Sequence, residues 1–401
     1  MNVEERLLKY VSFETTADEQ SETIPSNPME LDLGNYLAEE LRNIGLEDAY
    51  LDEFGYVYGH LPATPGCENE TPIGFIAHMD TSPDASGANI KPRMFVYEGG
   101  DIELRPFVNI TVDEYPFLEE YKGQTLIVTD GTTLLGADDK AGIAEIFTAC
   151  EYLLAHPEVK HGRISVCITP DEEIGRGPMK FSLQKFNAKY GYTVDGSRLG
   201  EIEYENFNAA SAKVSVYGFN IHPGSAKNKM VNSVLIASEF ISMLPAAETP
   251  AHTEGYEGFY HVNSIEGDVN ATSFSIIIRD HDRKSFEKRK QIVISLAEYM
   301  NQKYGAGTVI ADVNDSYYNM KEKILPNMHV VERARAAMRK AGVTPTTAPI
   351  RGGTDGATIS FMGMPCPNIC TGAENFHGVK EFASVDSMRK IVEIIVNICE
   401  L

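Results

Sequence analysis

The chain has no CxxC pair, no apolar run near the roughly 20 residues a membrane helix needs, and little basic charge. Its 35 Lys and Arg stand against 58 Asp and Glu, and the resulting net charge of −23 argues against nucleic acid and anionic membranes as partners. The six cysteines (67, 150, 167, 366, 370 and 399) fall mostly within apolar runs, which reads as free buried thiols in a reducing compartment. The start, Met1 to Arg6, lacks the basic and then apolar regions of a secretory leader, so a cytoplasmic location is expected. There is no internal repeat and no low-complexity tract.

What is present is an ordinary globular composition, 43% apolar, over 401 residues, which is more than one typical core and predicts two domains. Apolar residues at helical spacing predict a helix over Leu31–Leu46, stopped by Gly45 within the last turn and packed by one face on a sheet. Buried-strand runs follow at 72–77, 124–129, 162–169, 190–196 and 367–371, with Gly55–Leu61 alternating like a strand. Residues 84–122, rich in Gly, Pro and charge, read as a long irregular insertion. From 209 to 317 the pattern becomes β-α-β-β-α-β, the order of a small open sheet with helices on one face. The expected division is therefore 1–208 and 318–401 for a first domain of α/β class, with 209–317 as an inserted α+β domain.

Several strand-like runs end in carboxylate or imidazole. The first delivers His78-Met-Asp80, whose alternation lets both polar side chains share a face. An aspartate in that position can take the second N–H of a metal-binding imidazole. After 124–129 come Asp138 and Asp139, which alone read as ordinary acids at a helix start. The strand at 162–169 runs into Asp171, Glu172 and Glu173; of adjacent acids, one can bind metal while its neighbour deprotonates a water. Asp195 before Gly196 reads alone as a turn residue, and His377 follows the last run.

Taken together, His78, Asp138, Glu173, Asp195 and His377 lie just beyond strands, where open α/β sheets gather ligands. Mixed imidazole and carboxylate donors without thiolate suit zinc, with manganese or cobalt as substitutes, and five such residues suit a pair of ions. In the 209–317 region, His222 stands in a Pro/Gly loop and Arg279 ends a strand; beyond it, Arg351 opens the glycine-rich Arg351-Gly-Gly-Thr-Asp355-Gly356. The loop setting leaves His222 open between a surface residue and a substrate contact. An arginine fork can pair with a substrate carboxylate.

The ordered motifs His78-Met-Asp80, Gly136-Ala-Asp138-Asp139, Glu172-Glu173, Thr193-Val-Asp195-Gly196 and Arg351-Gly-Gly-Thr-Asp355 resemble those of the zinc-dependent metallopeptidase family of aminoacylases, glutamate carboxypeptidases and related aminopeptidases. The likeness covers essentially the whole chain and is strongest to the family's tripeptide aminopeptidases. It implies a zinc-peptidase domain with a central mixed β-sheet flanked by helices, and a ferredoxin-like lid inserted into it. It also implies two Zn²⁺ per subunit, one held by His78, Asp138 and Asp195 and the other by Asp138, Glu173 and His377, with Asp138 as the bridge. Asp80 would orient His78, Glu172 would serve as general base, and the Asp138–Asp139 peptide would be cis. The implied reaction is release of the N-terminal residue from tripeptides, with carboxypeptidase, dipeptidase or N-acyl amino acid deacylase action as the alternative. His222 is expected on the oxyanion and Arg279 or Arg351 on the peptide's terminal carboxylate. Whether the chain is a monomer or a homodimer, and whose site His222 serves in a dimer, stays open.

Overall fold

The computed structural model describes residues 1–401 and divides into two compact units. The first comprises Met1–Tyr204, Glu322–Ala348 and Thr354–Leu401; the second comprises Glu205–Lys321 and Pro349–Gly353. In chain order the strands are β1 (Glu47–Leu51), β2 (Val57–Leu61), β3 (Ile73–His78), β4 (Arg93–Val96), β5 (Ile102–Arg105), β6 (Val108–Ile110), β7 (Thr125–Val128), β8 (Ile164–Thr169), β9 (Tyr190–Gly196) and β10 (Ile202–Glu203). They continue with β11 (Asn208–Tyr217), β12 (Phe259–Gly267), β13 (Ala271–Asp280), β14 (Val309–Tyr317), β15 (Asn368–Cys370), β16 (Ala373–Glu374) and β17 (Phe382–Ser384).

The first unit is built on a seven-stranded mixed sheet in the order β1-β2-β8-β3-β9-β15-β10. Its middle, β8-β3-β9-β15, is parallel, and its remaining pairs are antiparallel. Every residue of β3 and β8 is buried, which explains why both read as continuous apolar runs and not as alternating ones. Helix Ala137–Ala155 packs on β3 and β9, and helix Glu30–Ile44 packs on β1 and β2, its end marked by Gly45 at φ 111°. At Gly142 that first helix comes so close to the sheet that a Cβ would lie 2.0 Å from the Val194 carbonyl oxygen.

A second, antiparallel sheet, β16-β17-β7-β4, corrects the expectation of an irregular 84–122. That stretch contributes β4 to this sheet, the hairpin β5–β6, and a 3₁₀ turn over Pro116–Tyr121. Tyr97, Ile102, Leu104, Ile110, Leu118 and Tyr121 form its core with Leu126, Val128 and Phe382. The same sheet takes β7, the strand before Asp138, away from the seven-stranded sheet.

In the second unit, β12-β13-β11-β14 form an antiparallel sheet packed against helices Ser233–Ser242 and Arg283–Tyr304. Burial alternates along β13, where Phe274, Ile276 and Ile278 face a core shared with Phe240, Phe286 and Met300. No helix of the chain is long and apolar enough to cross a membrane.

Candidate metal centre

Three parallel strands, β8, β3 and β9, bring their carboxyl ends together. His78 closes β3 opposite Thr169 of β8, and Asp195 lies near the end of β9. The His78 ring is buried, with Nε2 at 3.0 Å from Asp138 Oδ1 and 3.5 Å from Asp195 Oδ1. Behind it, Nδ1 lies 3.1 Å from the Asp80 carbonyl oxygen and 3.2 Å from Asp80 Oδ1. The Asp80 carboxylate also accepts the backbone N–H groups of Glu172 and Glu173, at 3.0 Å each. One buried acid thus aligns an imidazole and a pair of glutamates from another strand end.

The two adjacent acids at the start of helix Ala137–Ala155, Asp138 and Asp139, divide their work. Asp139 behaves as a capping residue: Oδ1 accepts the Gly142 N–H at 3.2 Å, and Oδ2 accepts the His78 N–H at 3.1 Å. Asp138 has non-helical backbone angles, precedes a cis peptide to Asp139, and turns its carboxylate to the imidazoles. Its Oδ2 lies 3.4 Å from His377 Nε2, which in turn is 3.0 Å from Glu173 Oε2. His377 sits at φ 63° in the turn after β16, and its Nδ1 lies 3.2 Å from Asp84 Oδ2.

The structure therefore brings together all five residues named as candidate ligands, with Asp138 facing both imidazoles. Ligand atoms of His78, Asp138 and Glu173 lie within 4.8 Å of one another, as do those of His78, Asp139 and Asp195. Because Asp139 is already occupied by two backbone N–H groups, Asp138 is the freer donor of the pair. Charge follows this layout. Burial opposes ionisation of His78, but hydrogen bonds to Asp138 and Asp195 outweigh it and raise the ring well above its ordinary value. His377 is raised to about 11 by hydrogen bonds to Asp138 and Glu173. Burial, then the charge of Asp138, lifts Glu173 to about 7; burial lifts Asp195 to about 6. Glu172 is pushed well above the carboxylate range by burial and then by Asp195.

The other three candidates belong to the second unit. His222 is exposed, and its Nδ1 accepts the Gly224 N–H at 3.1 Å. Arg279 donates to the carbonyls of Ala210 and Ile278 at 3.2 and 3.0 Å. Arg351 donates through Nη1 to the Gly255 and Glu257 carbonyls at 2.8 and 3.1 Å, and through Nη2 to Thr253 Oγ1 at 3.1 Å.

Two buried acids escaped the sequence reading. Asp355 accepts from Thr169 Oγ1 at 2.8 Å, and Glu381 accepts three backbone N–H groups of the turn before Asp138. Asp355 stood in view within the glycine-rich Arg351–Gly356 motif, whereas Glu381 precedes a short apolar run and carries no local signal.

Comparison with known proteins bears on the family and the fold. The family described as the peptidase dimerisation domain matches residues 204–308. A protein named peptidase T from Clostridium perfringens (strain SM101 / Type A) is 55% identical over 401 residues, covering 100% of this chain and 98% of its own. One of the same name from Alkaliphilus oremlandii is 54% identical over 404 residues, covering 100% of this chain and 99% of its own. Among solved structures, the aminopeptidase PepT of Bacillus cereus aligns with a TM-score of 0.77 at 26% identity, over 99% of this chain and 97% of that one. A tripeptidase from Staphylococcus aureus shares the fold, with a TM-score of 0.78 at 23% identity over the same shares of the two chains. Identity above one half along whole chains leaves little room for a different descent, and the chain belongs to the peptidase T family.

Proposed function

We propose that the chain removes the N-terminal residue from tripeptides by metal-assisted hydrolysis, using two zinc ions, one held by His78, Asp138 and Asp195 and one by Asp138, Glu173 and His377. The observation that carries this reading is Asp138, whose two carboxylate oxygens face two different imidazole Nε2 atoms. The donor set fits cations. With Nδ1 of each ring directed at Asp80 or Asp84, an imidazole that yields its second proton to an incoming cation offers Nε2 to it beside the carboxylate oxygens. Glu173 Oε1 is buried with no hydrogen-bond partner, a further donor in want of a cation. Imidazole and carboxylate without thiolate favour zinc, with manganese or cobalt as substitutes.

When bound, such a pair of ions polarises the scissile carbonyl and makes water a nucleophile at neutral pH. The chain's own residues supply the rest. Glu172 is held by its backbone N–H, so its carboxylate is left to take a proton from the attacking water and pass it to the leaving amine nitrogen. Asp80 keeps His78 in one tautomer. His222 accepts at Nδ1, so its neutral ring carries the proton on Nε2 and can donate to the oxyanion. Arg279 or Arg351 takes the terminal carboxylate of the peptide and with it the choice of length. The name aminopeptidase borne by the Bacillus cereus structure supports attack at the amino end, and the dimerisation-domain match supports a homodimer.

The test pairs a free tripeptide with its N-acetylated form, before and after chelation. Cleavage of the free peptide alone, lost on chelation and restored by Zn²⁺, is expected. Cleavage of the blocked peptide reassigns the chain to carboxypeptidase or deacylase action, cleavage of a dipeptide but of neither tripeptide reassigns it to dipeptidase action, and activity undiminished by metal removal overturns the metal reading.

A further inference from the structure

We propose that Glu381 is a positioning residue for Asp138, acting through the backbone of the turn that carries it. The inference rests on the reading of Asp138 as the carboxylate shared by two cations. From Leu135 to Asp138 the chain passes through Gly136 at φ 74° and reaches the non-helical, cis-linked Asp138–Asp139 pair in the first turn of helix Ala137–Ala155, so the N–H groups of Leu135, Gly136 and Asp138 have neither a ladder nor a helix to join. Glu381 takes three of them: Oε2 accepts from Leu135 at 2.7 Å and Gly136 at 2.8 Å, and Oε1 accepts from Asp138 at 3.1 Å.

The side chain is 1% exposed, so water cannot replace these bonds. It arrives from more than two hundred residues away because β17, which begins immediately after it, pairs with β7, the strand that ends at Val128 and leads toward the turn. The turn is thereby tied to the sheet at Asp138 and at the two residues Leu135 and Gly136 that lead into it. Asp138 must meet His78 Nε2 and His377 Nε2 at once, at 3.0 and 3.4 Å, and a small shift of the turn spoils both contacts together.

Three donors require two acceptor oxygens, which a carboxylate has and a carboxamide lacks. Glu381→Gln keeps the shape but sets an NH₂ against backbone N–H groups. Glu381→Asp keeps both acceptors on a shorter stem. The experiment strips the full-length protein of metal and titrates it with Co²⁺ alone, following chelator competition and the visible absorption spectrum. It then measures tripeptide kcat and KM after reloading, and urea unfolding of the metal-free forms.

For E381Q the expected result is Co²⁺ affinity lower by roughly 10- to 100-fold, a changed absorption spectrum, and kcat reduced with KM within about twofold. E381D should recover part of each loss. A role confined to stability would lower only the urea midpoint, leaving Co²⁺ affinity and spectrum as in the wild type, and that result overturns the proposal. Should E381Q not fold, E381D decides: weakened Co²⁺ binding supports the inference and unchanged binding overturns it. Asp138→Asn is the control. Wild-type Co²⁺ affinity in D138N would remove the reading of Asp138 itself, an outcome distinct from failure of the Glu381 variants alone.

Discussion

Asp80 lies 3.2 Å from His78 Nδ1 through a carboxylate whose two oxygens also each accept a backbone N–H from the Glu172–Glu173 turn. Orientation of one candidate ligand and placement of the proposed general base, Glu172, therefore depend on a single side chain. Asp80→Asn leaves one acceptor where three donors converge and points an NH₂ at one of them. Metal affinity in D80N should fall by about 10- to 100-fold, measured by chelator competition, with kcat falling further because Glu172 shifts too. Loss of kcat with wild-type metal affinity would confine Asp80 to the glutamate turn.

Glu172 has the opposite signature. Because the proposed ligands are other residues, Glu172→Gln should keep metal content and KM near wild type and lower kcat by about 10² to 10⁴. Metal analysis beside steady-state kinetics separates the two variants. A metal-poor E172Q would make Glu172 a ligand.

Much of the centre was legible because its residues follow buried strands directly: His78, Glu173 and Asp195 stand within a few positions of β3, β8 and β9. A surface run is not announced by apolar residues, so the candidate residues stood out in the sequence. Asp138 was legible only in company, since a pair of acids at a helix start has a common capping use, and Asp139 does cap. The cis peptide came from resemblance alone. The strands within 93–110 were hidden because they are short, and Gly, Pro and charge surround them; their burial comes from contacts with Leu126, Val128 and Phe382, remote in sequence. Glu381 was illegible for the same reason: its meaning lies in which turn the β17–β7 pairing sets beside it.

Glu145 offers a test of burial away from the metal ligands. It is fully buried in helix Ala137–Ala155, neither oxygen has a hydrogen-bond partner, and burial alone raises its carboxyl well above the ordinary range. A folded value above the unfolded one means that the native state holds a proton the unfolded chain gives up. Stability from this group is therefore present below about pH 4.5 and is lost progressively as pH rises toward the folded value. Glu145→Gln has no such titration, so its urea midpoint should gain on the wild type between pH 5 and pH 8. A gap independent of pH would mean that Glu145 is ionised in the fold.

Arg351 tests the choice of substrate length. Its fork is engaged with Thr253, Gly255 and Glu257 in this structure, so a substrate carboxylate must compete with backbone carbonyls. A charge-assisted, two-point pair with a carboxylate is stronger than neutral hydrogen bonds, which favours the exchange. Arg351→Ala should bring kcat/KM for tripeptide and tetrapeptide close together with metal affinity unchanged. Retained selectivity would leave Arg351 as a support for the 253–257 loop and pass the terminal carboxylate to Arg279.

Gly142 links helix Ala137–Ala155 to β9, the strand that carries Asp195 near its end. A methyl group there would meet the Val194 carbonyl oxygen at 2.0 Å and Asp139 Oδ1 at 2.5 Å, and a main-chain carbonyl cannot step aside as a flexible side chain can. The helix must then lift from β9, at a cost of roughly 1–3 kcal/mol in a well-packed interior. Since Ala is a better helix former than Gly by about 1 kcal/mol, a site with room would show the opposite sign. Gly142→Ala should therefore unfold at lower urea than the wild type in the metal-free state. It should also bind metal more weakly, because lifting the helix moves Asp138 relative to Asp195. A stabilised G142A would show that helix and strand are less tightly docked than the Val194 contact implies.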